Sequence, residues 1–154
     1  MNSLEINAIM NNELWKKNYG GIFPCDKIPK NLCKTCNFGI ICNLSKSTSL
    51  GTQWIAIFMP AEGACLQYFD SYGMPPTNKY FLEFLEKNNK LYCYNEGQIQ
   101  KFGSDVCGEY CIFFLLLRFS GVEYDNIINI FTNDLEQNDK FVSNFVNSIK
   151  CVKY

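Results

Sequence analysis

The chain contains no histidine. That absence removes the commonest general base and a leading zinc ligand from any chemistry assigned to it. Massed positive charge is also missing: 14 Lys and Arg stand against 15 Asp and Glu, a net charge of −1, and the lysines are scattered. Without a basic stripe to follow a phosphate backbone, nucleic acid is not the expected partner. Long apolar runs are missing too. The longest, "CIFFLLL" from Cys111 to Leu117, stops at Arg118, far short of the roughly 20 residues a membrane span needs. The start, "MNSLEINAIM", has no basic stretch leading into an apolar one, so a soluble, unexported protein is expected, with no membrane partner. Repeats, linkers and low-complexity tracts are absent as well.

What is present suits a single domain over residues 1–154. With 154 residues at 47% hydrophobic content, the chain can build one core. Its nine cysteines are an odd number, and several fall inside apolar strand or helix patterns. Free thiols in a reducing compartment fit that placement better than a disulfide scaffold.

The patterns read as α+β. Ser3 is positioned to cap a short helix running to about Asn11, followed by a Gly-, Pro- and Asn-rich stretch, "NYGGIFPCDKIPKN". Four strands are expected at 39–44, 53–59, 64–70 and 90–95. In the second, Trp54, Ala56 and Phe58 alternate with Ile55, Ile57 and Met59, so both faces are apolar and the strand is central. "PAEG" joins the second and third as a hairpin. Helices are expected from Thr77 or Asn78, from Cys107, near 123–131 and over 135–149. The one from Cys107 is apolar nearly all round and therefore buried.

One stretch carries reactive chemistry. "GSDVCGEYC" puts Cys107 at the first turn of the buried helix, where backbone N–H groups and the helix dipole favour a thiolate. Taken alone, a cysteine in so Cys-rich a chain reads as a core thiol. Three other features change the balance. Gln100, in a polar loop seven residues upstream, can supply an amide as oxyanion donor. Asp70 ends a strand ahead of "SYG", where a carboxylate could orient an imidazole, although an Asp there also serves simply as a turn former. "GTQW" opens the central strand and places Gln53 directly before Trp54.

Together these pieces resemble the adenain-like cysteine proteases of viruses and virus-derived transposons, and more distantly the proteases of SUMO and other ubiquitin-like proteins. In that family a Gly-Thr-His-Trp or Gly-Val-His-Trp motif opens a central strand. An acidic residue ends the next strand, and a Gln precedes a Cys-Gly nucleophile. Here the order is "GTQW", "FDSYG", Gln100 and "DVCG", and the likeness spans about residues 1–120. It implies a papain-like fold, with the nucleophile-bearing buried helix packed on a central, mainly antiparallel sheet. It further implies cleavage of polypeptides near Gly or other small residues, with Cys107, Asp70 and Gln100 as catalytic positions and Trp54 and Gly108 in the substrate groove. The implied partner is a polypeptide, such as a viral structural precursor or a ubiquitin-like tail. The resemblance also allows an activating peptide of the adenain kind as a partner, although the sequence shows no identifiable docking strand for it. No cofactor or metal is implied.

Gln53 stands where the family carries its general-base histidine. A carboxamide has no titrating proton, so hydrolysis by this chain is expected to be lost or strongly impaired. Two origins remain open: an inactivated protease, or a natural pseudoprotease that binds peptides or ubiquitin-like proteins. A zinc module is suggested by "CKTC" (Cys33, Cys36), but it lacks a second Cys-x-x-Cys, so Cys25, Cys42 or the Cys107/Cys111 pair would have to complete it. A redox role for "CKTC" lacks the strand-to-helix setting such motifs need.

Overall fold

The computed structural model describes residues 1–30, 35–62, 65–88 and 91–151. Its elements are α1 (Ser3–Met10), β1 (Tyr19–Pro24), a 3-10 turn (Cys25–Lys27), β2 (Phe38–Asn43), β3 (Trp54–Met59) and β4 (Cys65–Phe69). After these come α2 (Lys79–Lys87), β5 (Leu91–Tyr94), α3 (Cys107–Phe119), α4 (Tyr124–Ile128) and α5 (Leu135–Cys151). The five strands form one sheet in sequence order. Its two inner junctions, β2 with β3 and β3 with β4, are antiparallel, whereas the outer strands β1 and β5 join in parallel. The expected antiparallel centre is present. The parallel edges arise because β1 reaches β2 through a long connection and β4 reaches β5 through α2, and parallel neighbours require such crossovers.

The alternation in β3 sorts the core into two layers. Ala56 and Phe58 face one cluster, which includes Phe69, Tyr110, Phe114 and Val142; Ile55, Ile57 and Met59 face another, with Leu66, Tyr68, Phe81 and Phe84. On the first side α3 lies against β3, and Phe69 stacks on Phe114 with ring centroids 4.5 Å apart. On the second, α2 offers Phe81 edge-on to Tyr68 at 5.8 Å. Each such ring contributes roughly 1.5–3 kcal/mol through burial, enough to fix which face α3 presents and so where Cys107 sits. At its far end α3 is tied to β4 by Arg118, whose Nε donates to Gln67 Oε1 at 2.8 Å while the guanidinium lies 4.4 Å over the Phe58 ring.

Two local expectations change. The cap of α1 is Asn2, not Ser3: Asn2 Oδ1 accepts from Glu5 N at 3.0 Å, and Glu5 Oε2 accepts from Asn2 N at 2.7 Å. This reciprocal capping box uses the acidic residue three positions on, a spacing that Ser3 does not share. The Gly- and Pro-rich stretch after α1 contains strand β1, because Gly20 is required by packing and not by a turn. A Cβ there would meet the Phe38 ring at 2.2 Å.

Candidate active site

The motif residues gather at one end of the sheet: Gln53 precedes β3, Asp70 follows β4 and Cys107 opens α3, and Asn43, which no motif singles out, ends β2 beside them. Gln53 is held in line with β3 because its carbonyl accepts from Leu44 N at 3.0 Å, extending the β2–β3 ladder by one bond. Asp70 is fixed through its main chain by Asn95, the residue after β5. Asp70 N donates to Asn95 Oδ1 at 3.0 Å, and Asn95 Nδ2 donates to Asp70 O at 2.5 Å.

From these anchors runs a buried polar relay. Gln53 Nε2 donates to Asp70 Oδ1 at 3.1 Å and to Ser71 Oγ at 3.4 Å. Ser71 Oγ donates to Gln100 Oε1 at 2.5 Å. Gln100 Nε2 then donates to Ser104 O at 2.9 Å and to Ser104 Oγ at 3.0 Å. The Ser71 carbonyl accepts from Ile99 N and Gln100 N at 2.9 and 3.0 Å, which brings the β5–α3 loop alongside the end of β4. The titratable member of the relay is Asp70. Burial pushes its carboxyl above the usual carboxylate range, against the partial pull of Tyr72 N–H and the Gln53 amide. Every other member carries amide or hydroxyl protons, which do not transfer near neutral pH.

Gln100 is therefore close to the expected partners, but its amide is turned away from the role the motif implies. It is fully buried, and its donors are spent on Ser104 instead of pointing to a reacting carbonyl. Cys107 lines a cavity of about 600 Å³ together with Met1, Asn43, Thr52 and Trp54. Gln53 opens instead onto a neighbouring cavity of about 620 Å³ with Asp70, Tyr72 and Met74, and Thr52 borders both.

The thiol of Cys107 also departs from expectation. Burial pushes its pKa up, and backbone N–H groups of Trp54 and Gly108 counter only part of that push, while Asp105 adds to it. The helix-terminus effect acts in the expected direction, but desolvation outweighs it. Trp54 walls the cavity, and its indole Nε1 donates to Met1 O at 3.1 Å. Gly108 does not line that cavity. A Cβ on it would come within 3.2 Å of Ile6, 3.3 Å of Met1 and 3.5 Å of Trp54.

Ser71, Asn95, Ser104 and Met1 are the site residues that the motif reading missed. Ser71 lies inside "FDSYG" and was visible, but nothing local links it to Gln100. Of the competing readings, the one built on "CKTC" depends on Cys33, which lies outside the described residues. Cys25, Cys42 and Cys111 are buried free thiols within the apolar layers.

No family model matches the chain. It is 36% identical over 89 residues to a protein of Acanthamoeba polyphaga mimivirus assigned as a thiol protease, covering 51% of this chain and 29% of that one. It is 29% identical over 114 residues to a SUMO-1 cysteine protease of African swine fever virus, covering 67% of this chain and 41% of the relative. The crystal structure of the African swine fever virus protease superposes with a TM-score of 0.67 at 17% identity, covering 92% of this chain and 65% of that one. The chain thus spans less than half the length of the curated relatives it matches.

Proposed function

Starting from a chain that is related to viral thiol and SUMO-type cysteine proteases and has their papain-like fold, we propose that it is a cysteine-protease domain that keeps the polypeptide groove and has lost amide hydrolysis. The observation that carries this reading is the 3.1 Å hydrogen bond from Gln53 Nε2 to Asp70 Oδ1, in a chain without histidine.

In a Cys/His pair the imidazole takes the thiol proton, holds the thiolate as an ion pair and returns a proton to the leaving amine. A carboxamide held by Asp70 performs none of these steps. General acid–base help is worth about 10²- to 10⁴-fold, and a member acting as one unit with the nucleophile costs more when removed. In this reading Cys107 is the nucleophile position, Asp70 the former orienting carboxylate and Gln53 the replaced base. Gln100 would need to turn from Ser104 before serving as an oxyanion donor.

What remains is a groove. The cavity beside Trp54 and Cys107 is walled by small and hydroxyl-bearing residues, among them Gly51, Thr52, Ser45 and Ser47. It suits an extended segment with Gly or another small residue at its narrowest point, such as a ubiquitin-like tail or a viral structural precursor. Fluorescence anisotropy with a labelled peptide ending in Gly-Gly tests the reading. Saturable binding without turnover, equal for the parent and Cys107→Ala, is expected; turnover by the parent contradicts it.

A further inference from the structure

We propose that the Cys107 site is an acyl acceptor for thioesters, exchanging its thiol with peptide α-thioesters that end in a small residue; this rests on the reading of Cys107 as the groove nucleophile. The reasoning concerns which proton the missing base would have handled. Expelling an amine from a tetrahedral adduct requires a proton delivered to nitrogen, and neither Gln53 nor Ser71 can deliver one. Expelling a thiolate requires none, because a thiol of pKa about 8.5 leaves with its electron pair. The replacement of the base therefore falls heavily on amides and lightly on thioesters.

The rest of the site meets the remaining needs of such an exchange. Cys107 borders a cavity of about 600 Å³ and stands at the first position of α3. The N-cap position, Val106, places no capping side chain on the first turn of α3. Donors at that helix start are thus available to a carbonyl oxygen in place of the committed Gln100 amide. In the reaction Cys107 loses its proton to solvent and its sulfur attacks the thioester carbonyl carbon. The new carbon–sulfur bond forms, the old one breaks, and the departing thiolate takes up a proton. The products are acyl-Cys107 and one free thiol, with no change in oxidation state. Hydrolysis of the adduct would require water activated by a base, so the acyl group persists until another thiol arrives.

The parent protein is incubated at pH 8 with a Gly-terminated peptide benzyl thioester, and in parallel with the same peptide as its anilide. Intact mass and peptide mapping then locate any acyl group. The expected result is one hydroxylamine-labile acyl group on Cys107, formed about tenfold faster than on the exposed Cys151, with the anilide untouched. Acylation of Cys151 with Cys107 unmodified overturns the proposal. If iodoacetamide then labels Cys107 when the same sample is brought to pH 9, where its thiol ionises more readily, the thioester proposal alone has failed; if Cys107 stays unlabelled there too, the reading of Cys107 as an accessible groove nucleophile has failed with it.

Discussion

Gln53 and Asp70, 17 residues apart in sequence, meet as amide donor and carboxylate acceptor at 3.1 Å, both almost wholly buried. An imidazole in the same place would leave Asp70 facing a cation. Facing an amide, the carboxylate has only dipoles to offset its burial, which is why its pKa rises.

The first prediction follows from that rise. A carboxyl whose folded pKa lies above its unfolded value contributes stability that is fully present below the unfolded value and lost as pH rises through the folded one. Asp70→Asn keeps an oxygen for Gln53 and Tyr72 and removes the ionisation. Its urea midpoint at pH 7 should equal or exceed the parent's, and the difference should grow in its favour between pH 4 and pH 7. A variant clearly less stable at pH 7 would show that the charge of Asp70 is doing something the relay does not explain.

Cys107 should be slow toward alkylating agents at neutral pH. Its thiol is raised by burial, so thiolate is scarce at pH 7 and iodoacetamide labelling should rise by about tenfold per pH unit through pH 8 and 9. A rate already level at pH 7 would mean that the N–H groups of Trp54 and Gly108 dominate over desolvation.

Ser71 links the two halves of the relay. Ser71→Ala leaves Gln100 Oε1 buried without its 2.5 Å donor and removes one acceptor from Gln53. A loss of about 1–3 kcal/mol in urea unfolding is expected, from an unsatisfied buried acceptor. Stability within error of the parent would indicate that the loop before α3 is held by the Ser71 carbonyl contacts alone.

Gly108 is set by close approach. Gly108→Ala crowds Ile6, Met1 and Trp54, all within 3.5 Å of the added carbon. The cost should be about 1–3 kcal/mol, together with weaker binding of Gly-terminated peptides as Trp54 shifts. Unchanged affinity would separate the Trp54 wall from the peptide groove.

Legibility differed by residue for physical reasons. β3 and α3 could be read because burial on both faces leaves an unmistakable apolar pattern, and their placement fixes Cys107 and Gln53 at one end of the sheet. β1 was hidden because Gly20 serves the Phe38 ring across the sheet, a long-range demand that looks locally like a turn. The parallel pairing of β1 and β5 depends on crossover paths that periodicity does not encode. The loop that carries Gln100 is legible from its polar composition, yet the direction of its amide depends on Ser71 and Ser104, and Ser71 lies 29 residues away. The direction of the Cys107 shift was missed because sequence shows a helix start but not how dry it is.

The central claim is that Gln53 in place of a base is the main barrier to amide cleavage by this scaffold, and Gln53→His tests it most directly. The variant should cleave a peptide carrying Gly beside the scissile bond at least about 10²-fold faster than the parent, by kcat/KM. That gain should vanish when Cys107→Ala is added. A folded Gln53→His protein with no gain, or a gain that survives Cys107→Ala, would contradict the account.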